Sequence, residues 1–78
     1  MCFSEEIKKI RLKAFLSQTD FAEEICVSFS TVNRWENGKG RPNLKAMKKI
    51  KEFCLKHDIS FIGLENVWIK HSNETNND

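Results

Sequence analysis

The stretch SQTDFAEEICVSFSTVNRWENGKGRP (residues 17–42) places two short apolar periodicities almost end to end. Phe21, Ala22 and Ile25 recur at helical spacing in the first, and Val32 and Trp35 stand one helical step apart in the second. Ser17 and Ser28 each precede an apolar period, where a side-chain oxygen can cap the free N–H groups of a first helical turn. Asn37-Gly38 supplies a stop, because glycine readily takes the left-handed conformation after a helix. The spacing predicts a second helix at about 18–25, with Asp20, Glu23 and Glu24 outward, and a third at about 28–37. Cys26 and Val27 form the very short connection between them. GKGRP then reads as a turn, with Pro42 barring a continuous helix. The outer face of the third segment carries Phe29, Ser30, Asn33, Arg34 and Asn37. A helix built only to fold would more often show Glu and Lys there.

Working outward, Ser4 with Glu5 and Glu6 resembles an N-cap followed by a first acidic turn, and Ile7, Ile10 and Ala14 predict a first helix at about 4–14. Leu16 is expected to enter the core. Downstream, Asn43 is placed to cap a fourth helix whose apolar stripe is Leu44, Met47, Ile50 and Cys54. From Asp58 the period changes: Ile59 and Phe61 alternate with Ser60, GLEN offers a turn, and VWIK follows. This predicts a β-hairpin over 59–62 and 67–70, with a fifth short helix as the alternative. HSNETNND is polar and is expected to be disordered. The organisation is therefore a helical domain at 1–57, a packing or dimerisation segment at 58–70 and a tail at 71–78.

With 78 residues the chain has room for one domain and a modest core. No apolar run approaches membrane-spanning length, and the acidic residues right after MCFS argue against a signal peptide. Cys2, Cys26 and Cys54 are odd in number and lack a CxxC, which fits a reducing cytoplasm better than a disulfide framework. The net charge of +2 conceals an uneven distribution. Between Arg34 and Lys56 eight basic residues face only Glu36 and Glu52. A basic half on a nearly balanced chain suggests a polyanion-facing surface, with a solvated lysine-rich helix as the plainer explanation.

Two helices across a tight turn, the second capped and polar outside, meet the description of a helix-turn-helix. Leu16-Ser17-Gln18, Phe21-Ala22, Val27-Ser28, Ser30-Thr31-Val32 and Arg34-Trp35-Glu36-Asn37-Gly38 resemble the signature of the lambda-repressor-like, XRE-type DNA-binding domains, from about residue 7 to about residue 54. The resemblance implies an all-α, compact four-helix fold (five if the C-terminal segment is helical), here with a small C-terminal β-hairpin. The residue pattern and the resemblance together make Phe29, Ser30, Asn33 and Arg34 the candidates for base contacts in a major groove. Arg34 matches guanine O6 and N7, and the Phe29 ring matches a thymine methyl. A stray surface aromatic or a contact with the second helix remains open for Phe29, and a salt bridge or phosphate contact for Arg34. Gln18, Thr31, Asn37, Lys39 and Arg41 are the candidates for phosphate contacts, which set register and affinity without reading sequence. In the family the glutamine at Gln18 commonly touches the DNA backbone and braces side chains of the third helix. The family pattern also implies a partly buried ion pair between Glu36 and Arg11. Two departures stand out: Cys26 occupies a turn position where glycine is frequent, and Phe15 sits where a small residue is common and would extend the core or meet a second subunit.

Other classes fit less well. Ser, His and Asp are scattered and no Gly-rich phosphate loop exists, so catalysis is not expected, nor is a cofactor. Cys54 and His57 share helical spacing, but a metal site would need further ligands, and a core cysteine beside a surface histidine explains them. His71 carries no evident chemistry. A protein-interaction module of the same fold, such as an antitoxin or a partner-binding subunit, is the alternative. The expectation is a DNA-binding transcriptional regulator of a bacterial or phage-infected cytoplasm, with repression favoured because no activation or ligand-sensing domain is evident. Its partners would be a palindromic double-stranded operator and a second copy docked through residues 59–70, with packing of that segment within the monomer as the alternative, and no small-molecule effector is expected.

Overall fold

The computed structural model describes residues 2–75, with side chains as far as Lys70. Among the described residues five helices follow one another: α1 (Phe3–Lys13), α2 (Gln18–Glu24), α3 (Phe29–Glu36), α4 (Leu44–Lys56) and α5 (Ile62–Thr75). Three starts follow local capping chemistry. Ser17 Oγ accepts from Asp20 N, Ser28 Oγ from Thr31 N and Asn43 Oδ1 from Ala46 N, each satisfying a donor that the helix leaves free. The first helix differs. It begins after Cys2, which makes no side-chain cap, and Ser4 lies inside it as a neighbour of the Cys2 thiol.

α1 to α4 end in one motif. The N–H three residues past the helix returns to a carbonyl five residues earlier: Leu16 to Arg11, Val27 to Ala22, Lys39 to Arg34 and Ile59 to Cys54. The residue in between must be left-handed. Gly38 does this at no steric cost, but Phe15 (φ 59°), Cys26 (φ 62°) and Asp58 (φ 57°) do it with a Cβ. Each such residue costs about 1–2 kcal/mol of local strain, offset by the helices it lets reverse.

The core gathers one stripe from each helix: Ile7 and Ile10; Phe21 and Ala22, with Ile25 just beyond α2; Val32 and Trp35; Met47, Ile50, Phe53 and Cys54; and Leu64. Phe21 and Phe53 meet edge to face at 5.0 Å, a favoured aromatic geometry. Leu44 is not in the α4 stripe. It is the first residue after the Asn43 cap and stays 67 % exposed, while Ala46 and Phe53 complete the buried face.

The expected hairpin is a helix. Phe61, Leu64, Val67 and Trp68 recur at three- and four-residue spacing, and together they cover α1 and the core. Gly63 is not a turn residue. It lies where α5 crosses Glu6, and a Cβ there would come within 2.5 Å of Glu6 Oε1. The same helix runs on to Thr75, so residues 71–75 are helical rather than disordered; residues 76–78 of the expected tail lie outside the described residues. Among the described residues no helix is long and apolar enough to cross a membrane.

Candidate nucleic-acid interface

α3 packs on α1 and α2 through Val32 and Trp35, both at most 5 % exposed, which fixes the helix and turns its other side outward. On that side Phe29 is 49 % exposed, and Ser30 and Arg34 are exposed. Thr31 is half-buried, and its hydroxyl is joined to Ser28 Oγ at 2.9 Å within the cap. Phe29 thus stands in water on the first turn of a helix anchored from behind.

Beside this strip runs a chain of hydrogen bonds that starts in the core. Arg11 grips Glu36 through Nε to Oε2 (2.7 Å) and Nη2 to Oε1 (3.0 Å), and its Nη1 donates to Leu16 O at 2.9 Å. The side chains of this pair are 10 % and 4 % exposed. The Glu36 hydrogen bond holds the Arg11 guanidinium protonated above its ordinary range, more than reversing the opposing effect of burial. Gln18 Nε2 donates to the same Glu36 Oε1 at 2.9 Å, Asn33 Nδ2 to Gln18 Oε1 at 3.2 Å, and Asn37 Nδ2 to Asn33 Oδ1 at 3.1 Å. A carboxylate only accepts, so Gln18 must offer its NH₂ inward, and every later amide is oriented in turn. The buried charge pair thereby sets the direction of three side chains that reach the surface.

The loop after α3 is held at both ends. Arg34 Nη2 donates to Lys39 O at 3.0 Å, with its guanidinium lying against Gly40. At the other end Trp68 Nε1 donates to Pro42 O at 2.7 Å. Arg41 stacks 4.7 Å over the Trp68 ring and donates to Trp68 O at 3.1 Å. Lys39 and Asn37 are exposed between these anchors. Arg41, Lys45 and Lys49 line a cleft of about 590 Å³ between the α2–α3 connection and the start of α4.

The structure therefore brings Gln18, Asn33 and Asn37 into one connected set, leaves Phe29, Ser30, Arg34 and Lys39 on the open side, uses Thr31 in the helix cap, and turns Arg41 toward α5. The sequence reading put Trp68 on a strand of the expected hairpin, although its spacing of four from Leu64 and seven from Phe61 is the signal for the helix that brings it to Pro42. Cys54 is a core residue, and His57 stacks on Phe53 at 4.3 Å with Nε2 3.5 Å from Glu24 Oε1. Phe15 is 93 % exposed and adds nothing to the core.

Residues 7–54 match the model of the helix-turn-helix family. The HTH-type transcriptional activator BcrR of Enterococcus faecalis is 38 % identical over 53 residues, which cover 68 % of this chain and 26 % of that protein. The chain thus spans about a quarter of the length of this relative. No solved structure matches. The matched span runs from the first core residue of α1 to the last of α4 and encloses the α2–α3 pair: the chain belongs to the lambda-repressor-like, XRE-type helix-turn-helix family.

Proposed function

We propose that this chain is a sequence-specific, double-stranded DNA-binding domain of a transcriptional regulator, with α3 entering the major groove. The observation that carries this is the exposed Phe29–Ser30–Arg34 strip on a helix locked from behind by Val32 and Trp35. A groove admits one helix, and the N-terminal turns of that helix meet the base edges. Ser30 offers a donor and an acceptor, Phe29 an apolar contact for a thymine methyl, and Arg34 a planar fork for guanine. To reach a base, Arg34 exchanges its bond to Lys39 O for a charge-assisted bidentate pair. Asn33, held by Gln18, has its amide direction set before any DNA arrives, which lowers the ordering cost of a base contact. Gln18, Thr31, Asn37 and Lys39 flank the strip and take phosphates, while Arg41 contributes to the backbone surface from its place against Trp68.

Control works by occupancy of promoter DNA. The relative named a transcriptional activator supports a regulatory role; repression follows where the bound site overlaps the promoter itself. Ile62 and Ile69, 64 % and 45 % exposed, lie seven residues apart along α5 and suit a homodimer contact. Two copies joined there would present two α3 helices to a palindromic site.

A duplex titration tests the groove assignment. Arg34→Ala should flatten discrimination between sites by about 1–3 kcal/mol at the preferred base. Lys39→Ala should weaken all duplexes alike and shallow the salt slope by about one. Unchanged binding of every selected duplex by both variants would refute it. Co-purification with a protein partner, alongside weak and salt-labile DNA association, would support an interaction module instead.

A further inference from the structure

We propose that Trp68 is a positioning residue for the DNA backbone, and that α5 belongs to the DNA-reading unit through it. The inference rests on the DNA-binding proposal above.

Lys39, the exposed cation of the loop between α3 and α4, can meet a phosphate productively only if that loop keeps one shape, because ordering flexible backbone costs free energy at each residue. The loop is shaped from two sides. On the α3 side Arg34 Nη2 holds Lys39 O at 3.0 Å, and Lys39 N returns to Arg34 O at 2.8 Å. On the α5 side the Trp68 indole N–H holds Pro42 O at 2.7 Å, and the Arg41 guanidinium lies over the same ring. The first side chain is the one proposed to leave for a base edge. Once Arg34 turns into the groove, Lys39 O loses its guanidinium donor at the moment when Lys39 must be in place. The Trp68 anchor does not face that conflict, since Trp68 lies on a different helix and its indole is a donor with a single partner to satisfy. Pro42 is buried, so its carbonyl depends on that donor rather than on water. One indole thus fixes the far end of the loop in both the free and the bound state.

Trp68→Phe removes the N–H but keeps a ring beneath Arg41 and the backbone carbonyl that Arg41 uses. The probe is a fluorescein-labelled duplex of mixed sequence at low salt, read by anisotropy, with a thermal melt to establish that the variant is folded. Trp68→Phe should bind this duplex about threefold to tenfold more weakly, as the loss of one loop-ordering hydrogen bond implies. Combined with Lys39→Ala it should bind no more weakly than Lys39→Ala alone, because both act through one contact. A merely structural role would lower the melting temperature and leave the affinity of the folded variant unchanged. Should Trp68→Phe lose its cooperative melt, benzothienylalanine at position 68, in which sulfur replaces the ring N–H, carries the same test. Wild-type affinity in a folded variant, or effects of the two substitutions that multiply, would overturn the inference alone. A wild-type chain without affinity for the duplex would overturn the DNA-binding proposal and this inference together.

Discussion

Replacing Arg11 by methionine is the sharpest test of how the fold and its outer face are joined. The substitution keeps much of the aliphatic volume and deletes three hydrogen bonds, two of them to Glu36 at 2.7 and 3.0 Å. What remains is a carboxylate 4 % exposed, with the Gln18 amide as its surviving side-chain donor. Removing one partner of a buried ion pair costs about 3–5 kcal/mol. A domain of this size holds about 4–12 kcal/mol in total. Arg11→Met should therefore consume a large share of the stability. With a urea m-value of about 1–2 kcal/mol/M, the midpoint should fall by at least about 1.5 M at unchanged slope. Arg11→Met combined with Glu36→Met should recover most of the loss, because no charge is then stranded and the half-buried Gln18 amide can turn to water. Since Glu36 raises the Arg11 pKa above its ordinary value, the arginine side of the pair contributes fully at every pH below that ordinary value and is lost only as pH climbs through the raised one. The deficit should be equal at about pH 7 and about pH 9. A midpoint within about 0.5 M of wild type, or a double variant as weak as the single, would refute this account of the pair.

Three further outcomes follow from the backbone and from burial. Phe15→Gly should raise stability by up to about 1.5 kcal/mol, because about 1–2 kcal/mol of left-handed strain is relieved and about 0.5–1 kcal/mol returns as unfolded-state entropy. Phe15 is 93 % exposed, so little packing is lost, and a lower melting temperature for the glycine variant would contradict the strain argument. Burial pushes the Cys54 thiol up from 9.0 to about 11. Its contribution is fully present below the lower value and fades as pH rises towards the upper one, so Cys54→Val should flatten the alkaline loss of stability. A thiol reagent at neutral pH should label the exposed Cys2 and Cys26 in the folded chain and Cys54 only after unfolding; three labels on native protein would contradict its burial.

What could be read from the sequence was what local chemistry decides. Ser17, Ser28 and Asn43 cap helices because a short side-chain oxygen before an apolar period has few other uses, and the stripes of α2 and α3 were visible at their spacing. The Arg11–Glu36 pair was foreseen through resemblance, since twenty-five residues of separation leave no local trace. Ser4 misled because any Ser-Glu-Glu run imitates a cap, while the chain had already turned helical at Phe3. The C-terminal segment misled for a deeper reason. Ile59, Ser60 and Phe61 alternate like a strand and VWIK is β-branched and aromatic, yet Leu64 and Val67 needed the α1 face, and burial there outweighed strand propensity. At the candidate interface the individual polar residues were legible, but their linkage was not. That Asn33 answers to Gln18, and that Arg34 rests on Lys39 O, depends on side-chain directions that appear only in the fold.

The missing side chain at Gly63 has a reach beyond its own contact. A single added methyl would either push Glu6 out of its buried seat or tip α5 off α1. Trp68 lies five residues further on, about 7.5 Å along the axis at the usual helical rise. α1 would then act as a fulcrum, and a tilt begun at position 63 would be delivered, amplified by that arm, to the indole that grasps Pro42. A change of one carbon at the α1–α5 contact would so alter the loop between α3 and α4 without touching it.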